Sequence, residues 1–254
     1  MLTYARFALD DNARFALVEG ARALELSGGL FASPHPTGRE FPVNELKLLA
    51  PCLPPKILAV GQNYSSHLGD RKMPKNPEMF YKPVSSLQDP LGPIAIPPDA
   101  EDVHFEGELV VVIGKTIRHA SREEASAAIF GVTCGNDVSD RNWQRGPGKD
   151  VQYWRAKGCD TFAPLGPVIV TGLDYSNLLL TTRRNGEIVQ QQRTSDLIFD
   201  VPAVISFVSC YVTLVPGDVI YTGTPGNTQR MVPGDVIEVE IEGIGVLRNP
   251  VVAG

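Results

Sequence analysis

A chain of 254 residues can bury one large hydrophobic core with a smaller unit beside it, and its net charge of −6 with scattered basic residues argues against nucleic acid as a partner. No apolar run reaches bilayer length, and the first residues lack the basic start and apolar centre of a secretory leader, so the sequence reads as soluble and cytoplasmic with no membrane partner. The four cysteines, Cys52, Cys134, Cys159 and Cys210, lie far apart without C-x-x-C spacing and are expected as reduced core thiols rather than a zinc site or disulfide frame.

In chain order, residues 14–19 and 23–26 read as short strands, with turns expected at 27–29 and 34–38 and a leucine-rich connector over 42–49. Pro51, Pro54 and Pro55 punctuate the chain, so the expected division is a small N-terminal α+β unit over 1–52 and a main domain over 53–254. Residues 56–61 should open that domain as a buried strand, and the polar, glycine- and proline-marked stretch 63–77 is expected to be a mobile loop. Ser121 with Glu124 makes a capping box that predicts a helix to about Phe130. A second helix is expected from Pro202 to Val212, with Asp200 near its N-cap. Asn185-Gly186 between two strand-like runs predicts a two-residue hairpin. Val215-Pro216-Gly217-Asp218-Val219-Ile220 recurs as Val232-Pro233-Gly234-Asp235-Val236-Ile237, expected as two equivalent entries into one sheet. The total is α+β, rich in strand.

The chemistry concentrates in His104-Phe105-Glu106-Gly107-Glu108-Leu109, at the head of a β-branched run. Side chains two apart on a strand share a face, so Glu106 and Glu108 should project together, with Gly107 allowing close approach. Two adjacent anions need a cation or proton between them, which a hard divalent metal with oxygen ligands supplies; the plainer alternative is an edge strand with a solvated face. Asp137 follows an apolar strand-like run after the capped helix and is the preferred third carboxylate, with Asp140 as its competitor. Three carboxylates without histidine or thiol suit Mg²⁺, Mn²⁺ or Ca²⁺ rather than Zn²⁺, and leave coordination positions for water and an oxyacid.

Six ordered motifs then resemble the fumarylacetoacetate hydrolase family: Gly61-Gln62-Asn63-Tyr64 with His67, Phe80-Tyr81-Lys82-Pro83, Glu106-Gly107-Glu108, Asn136-Asp137-Val138-Ser139 with Arg141 and Gln144, Lys157-Gly158-Cys159-Asp160-Thr161-Phe162, and Tyr221-Thr222-Gly223-Thr224-Pro225. The resemblance spans residues 56 to about 250 and implies a strand-rich mixed β-roll, a homodimer, and Mg²⁺ or Mn²⁺ (Ca²⁺ in a crystal) at Glu106, Glu108 and Asp137. It also implies small 2-oxo or 1,3-dicarbonyl acid substrates, hydrolysed at a C–C bond as an acylpyruvate, decarboxylated as an oxaloacetate, or isomerised as a hydroxymuconate-like diacid through a stabilised enolate. By the same resemblance Lys157 stands near the oxyanion, Arg141 and Gln144 position substrate, Tyr81 and Lys82 border the pocket, and Thr224 bonds the bound carboxylate.

His67 falls where hydrolytic members carry a His–Glu pair three residues apart, but this chain has Asp70 in the glutamate's place, and Asn142 where an aspartate is common. A shorter carboxylate leaves the dyad looser or absent, and the two departures put the exact reaction in question while sparing the metal triad. A non-catalytic metal-binding module is the competing class. His35, His104 and His119 take no role, Trp143 and Trp154 are expected in the core or pocket wall, and Cys159 as a buried thiol.

Overall fold

The computed structural model describes residues 1–10 and 12–254. Its backbone is a twelve-stranded sheet against a five-stranded one. The long sheet runs from His35–Pro42 through Arg22–Ser27, Asn12–Glu19 and Leu2–Leu9 to Ala163–Thr171, Ile129–Asn136, Gly107–Ile113, Val219–Tyr221, Ile57–Gly61 and the edge strand Glu78–Lys82. The second sheet holds Glu187–Arg193, Leu179–Arg184, Val236–Ile241, Gly245–Ala253 and Ile94–Ile96.

Gly107–Ile113 is buried along its whole length. Leu109, Val111 and Ile113 join Leu180 and Val239 of the second sheet and Val204, Ile205 and Val208 of the helix Val201–Ser209. Val110 and Val112 join Ile57, Leu165 and Tyr221 in a different cluster. Apolar side chains on both faces explain why the run does not alternate. They also carry the carboxylates at its head into the interior.

The buried strand Ile57–Gly61, the capping box at Ser121 and the hairpin between Leu179–Arg184 and Glu187–Arg193 are present as expected. Both helices stop early. The capped one ends at Ala127 because Ile129 already pairs as strand, and the later one covers Val201–Ser209, with Asp200 accepting from the Ala203 amide. The N-terminal unit differs more. Leu2–Leu9 is a strand, the expected turn at 34–38 lies largely within the strand His35–Pro42, and the connector is a 3₁₀ turn, Val43–Glu45, followed by the strand Lys47–Leu49. No α-helix occurs among the described residues of 1–52. Tyr4 pairs with Ile169, so the unit extends the long sheet.

The repeated hexapeptides make the same turn twice: Asp218 accepts from the Val215 amide and Asp235 from that of Val232. They do not enter one sheet. Val219–Tyr221 joins the long sheet and Val236–Ile241 the shorter one, because local turn chemistry leaves the partner strand undetermined. No helix among the described residues is long and apolar enough to cross a membrane.

Candidate metal and substrate site

Three carboxylates converge where two strands meet. Gly107 pairs with Asn136, the Glu106 amide donates to Asn136 Oδ1 (2.8 Å), and the Asp137 amide donates to the Glu106 carbonyl (2.8 Å). This cross-strand clamp brings one oxygen each of Glu106, Glu108 and Asp137 within 4.8 Å of one another, all three residues buried. Asp140 does not compete: it caps the helix Arg141–Arg145 by accepting from the Trp143 amide (2.9 Å), and also accepts from Glu101 and Asp102. Gly107 is needed for packing, since a Cβ there would overlap Thr182 Oγ1.

Cations interleave with the acids. Lys157 Nζ donates to Glu106 Oε2 (2.6 Å) and Asp137 Oδ2 (2.7 Å), Lys82 Nζ to Asp137 Oδ1 (2.5 Å), and Arg141 Nη2 to Glu106 Oε1 (2.5 Å). Burial alone would raise the Glu106 pKa, but Lys157 and Arg141 outweigh it and hold the group well below the carboxylate range. Glu108 has no such partner. Burial, then Asp137 and Glu106, push it well above the usual range, although the Gly223 amide donates to it at 2.7 Å. Burial opposes charge on Lys157, yet Asp137 and Glu106 together raise its pKa, whereas for Lys82 burial prevails and lowers it. An all-oxygen donor set containing one uncompensated buried carboxylate fits a hard dication, which Glu106, Glu108 and Asp137 would hold.

A cavity of about 400 Å³ opens onto this cluster, lined by His67, Phe80, Gln144, Lys157 and Thr224 among others. His67 sits on a single helical turn, Ser65–Leu68. Its Nδ1 is 2.6 Å from the Gly226 carbonyl, which can only accept, so Nδ1 carries the hydrogen and Nε2 presents its lone pair. Nε2 lies 4.0 Å from Glu106 Oε1. Burial lowers the His67 pKa despite the pull of Glu106, which favours the neutral base.

The expected His67–Asp70 pairing is not formed. The helix ends at Leu68, Gly69 turns away at φ +56°, and Asp70 is exposed, so the same-face argument fails for want of a helix. Tyr81 does not border the cavity either. It is 53% exposed on the outer face of its strand, while Phe80 and Lys82 point inward and Phe80 lies under Lys157 Nζ at 5.0 Å. Thr224 does line the cavity, with its hydroxyl donating to the Gly107 carbonyl and accepting from Gln190 Nε2, both at 2.9 Å. Arg141 Nη1 donates to Gln144 Oε1 at 2.7 Å.

Trp143 is buried beneath Arg155, but Trp154 is 67% exposed, not core or wall. Cys52 and Cys134 are buried, Cys159 is half-buried and Cys210 exposed, so the thiols do not all belong to the core. His104, given no role above, bonds Asp102 Oδ1 and Thr228 Oγ1 (both 2.9 Å), and Thr228 in turn accepts from Arg141. Gln190, Tyr153, Arg71, Arg145 and Lys149 were not expected at the site. Only Arg145 carries a sequence signal, four residues after Arg141 on one helix.

A family profile described as fumarylacetoacetate (FAA) hydrolase C-terminal matches residues 56–252, and one described as Rv2993c-like, N-terminal, matches residues 3–51. The crystal structure of a 5-carboxymethyl-2-hydroxymuconate delta-isomerase from Mycobacterium smegmatis superposes with a TM-score of 0.92 at 42% identity, over 99% of this chain and 100% of that one. Human mitochondrial oxaloacetate tautomerase FAHD2A is 39% identical over 93% of this chain and 78% of its own length. A maleylpyruvate hydrolase from Sphingobium, solved with manganese(II) and pyruvate, aligns at 30% identity with a TM-score of 0.82 over 99% of both chains. With its fold, its carboxylate cluster and these matches in agreement, the chain belongs to the fumarylacetoacetate hydrolase family and is an enzyme of that family.

Proposed function

We infer that the protein moves a proton on the carbon next to the keto group of a small 2-oxo acid, as a tautomerase or isomerase acting through an enolate. One observation carries the reading: His67 presents a neutral Nε2 towards the carboxylate cluster, fixed from behind by Gly226 and without help from Asp70. Relatives named as an oxaloacetate tautomerase and a hydroxymuconate isomerase support it.

Glu106, Glu108 and Asp137 would hold Mg²⁺ or Mn²⁺, which would supply Lewis-acid polarisation of the 2-oxo acid end of the substrate. The side chains do the rest. Arg141 and Gln144 orient the substrate carboxylate. His67 Nε2 takes a proton from the adjacent carbon, the C–H pair moves into a new C=C bond, and the former carbonyl oxygen becomes an oxyanion. Lys157, charged and buried, faces that oxyanion. His67 then returns the proton to oxygen or to a more distant carbon. Val60 and Phe80 supply part of the apolar lining of an otherwise mostly polar cavity. The same base directed at a water would give C–C hydrolysis, the reaction in the name of the maleylpyruvate hydrolase relative.

The enzyme is proposed as a cytoplasmic homodimer. The edge strand Glu78–Lys82 has a free side, and Tyr81, Val84 and Trp154 stand exposed on and beside it. Light scattering in solution tests the dimer. For the reaction, the Mg²⁺-loaded protein should exchange the C3 hydrogens of oxaloacetate with deuterium in D₂O faster than Mg²⁺ alone does, and His67→Ala should lower that enzyme-dependent rate by about 10²–10⁴-fold. Fast acetylpyruvate cleavage without exchange would overturn the reading in favour of hydrolysis.

A further inference from the structure

The cavity has cations that the carboxylate cluster does not use. Arg71, Arg145 and Lys149 line it, and none of the three forms an ion pair among the described residues. Arg71 is tied to backbone, donating to the carbonyls of His67 and Leu68 (both 2.9 Å). Arg145, exposed like Arg71 and Lys149, has no hydrogen-bond partner for its guanidinium among the described residues. Partial desolvation, then the like charges of Arg141 and Arg71, lower its pKa. Glu78, also in the cavity wall, pairs with none of them. Three cations against the single further acid Glu78 leave this side of the cavity with an excess of positive charge, which a bound anion complements.

The helix Arg141–Arg145 gives this anion a place. Arg141 reaches Glu106, and Gln144 is on the cavity wall. Arg145 returns to the face of Arg141 one turn later, about 6 Å along the axis. At the cluster, Glu106, Glu108 and Asp137 are matched formally by Lys82, Lys157 and Arg141. A dication there leaves two positive charges, which one carboxylate cannot neutralise.

We propose that Arg145, with Arg71 and Lys149, forms a second anion subsite that receives the distal carboxylate of a dicarboxylic 2-oxo acid. Its setting one helical turn from Arg141 favours carboxylates farther apart than the two intervening carbons of oxaloacetate. The assignment rests on the reading above that the 2-oxo acid end binds at the carboxylate cluster. It separates diacids from acylpyruvates, whose far end is uncharged.

The test uses the full chain with Mg²⁺ and two probes of equal length, 2-oxoadipate and 2-oxohexanoate, which differ only in the terminal carboxylate. Calorimetry should give the diacid a Kd lower by roughly ten- to a hundredfold, as expected for a charge-assisted contact. In Arg145→Gln that ratio should collapse to about threefold or less, while Arg145→Lys keeps most of it. Lys149→Ala, outside any helix or strand, should lower the ratio independently. General damage to the fold weakens both ligands alike and leaves the ratio, so the ratio reports the subsite itself. A wild-type ratio near one, a ratio unchanged in Arg145→Gln, or failure of both probes to bind would overturn the proposal. Deuterium exchange at C3 is read in parallel. A diacid preference that depends on Arg145 without any exchange supports the subsite and overturns only the proposed reaction.

Discussion

The imidazole of His67 is held by the Gly226 carbonyl, 2.6 Å from Nδ1, and not by a carboxylate. A carbonyl fixes the tautomer as a carboxylate would, but it does not carry the full charge that stabilises an imidazolium. His67→Ala should therefore lower kcat by about 10²–10⁴-fold, the usual contribution of a general base. Asp70→Asn should leave kcat within about threefold, because the exposed Asp70 makes no contact with the ring. Steady-state kinetics on both variants check this, and an Asp70 effect as large as that of His67 would sink the assignment.

The pH dependence follows from the same ring. Burial lowers the His67 pKa below its ordinary value of 6.5. The neutral base then persists as pH falls past that value, and the acid limb of kcat/KM should lie on its acid side. Stability has a matching sign. The folded state binds fewer protons than the unfolded one between the lowered pKa and 6.5, so stability rises with pH across that window and is lost as pH falls through it. A profile of rate and Tm from pH 5 to 8 tests both, and His67→Gln should flatten both.

Metal binding should depend on all three acids, and most sharply on Glu108, the one without a cationic partner. Glu108→Gln keeps the size and removes the charge, and should weaken Mn²⁺ binding by at least an order of magnitude while the protein stays folded. Electron paramagnetic resonance of added Mn²⁺ gives the readout directly. Unchanged affinity would remove Glu108 from the ligand set.

Gly107→Ala tests the packing that brings the carboxylates together. The new methyl would overlap Thr182 Oγ1 in a fully buried layer, so a loss of roughly 1–3 kcal/mol is expected from overpacking. Adding Thr182→Ala should recover part of it, measurable by denaturant unfolding.

Thiol reactivity should be confined to Cys210. Burial pushes Cys52 up to about 12, raises Cys134 further, and takes Cys159 to about 11, whereas Cys210 is exposed. One fast equivalent with an aromatic disulfide reagent at pH 8 is expected, and Cys210→Ser should remove it.

What the sequence by itself determined was local. Two carboxylates at even spacing before a β-branched run, a capping box at Ser121, an Asn185-Gly186 turn and a third acid at a strand end each follow from chemistry within a few residues, and each stands where that chemistry puts it. The tertiary structure decided what lies across space. Twin hexapeptides with the same turn enter different sheets because their partner strands differ. Tyr81 faces outward and Phe80 inward because only the packed sheet says which strand face meets the cavity. Gly226 reaches His67 across 159 positions of chain, a contact that no local period encodes, while Asp70 is carried away by the end of a one-turn helix. Arg145 stands between these cases: its spacing from Arg141 is written in the chain, but its lack of a partner emerges only once the neighbouring side chains are packed around it.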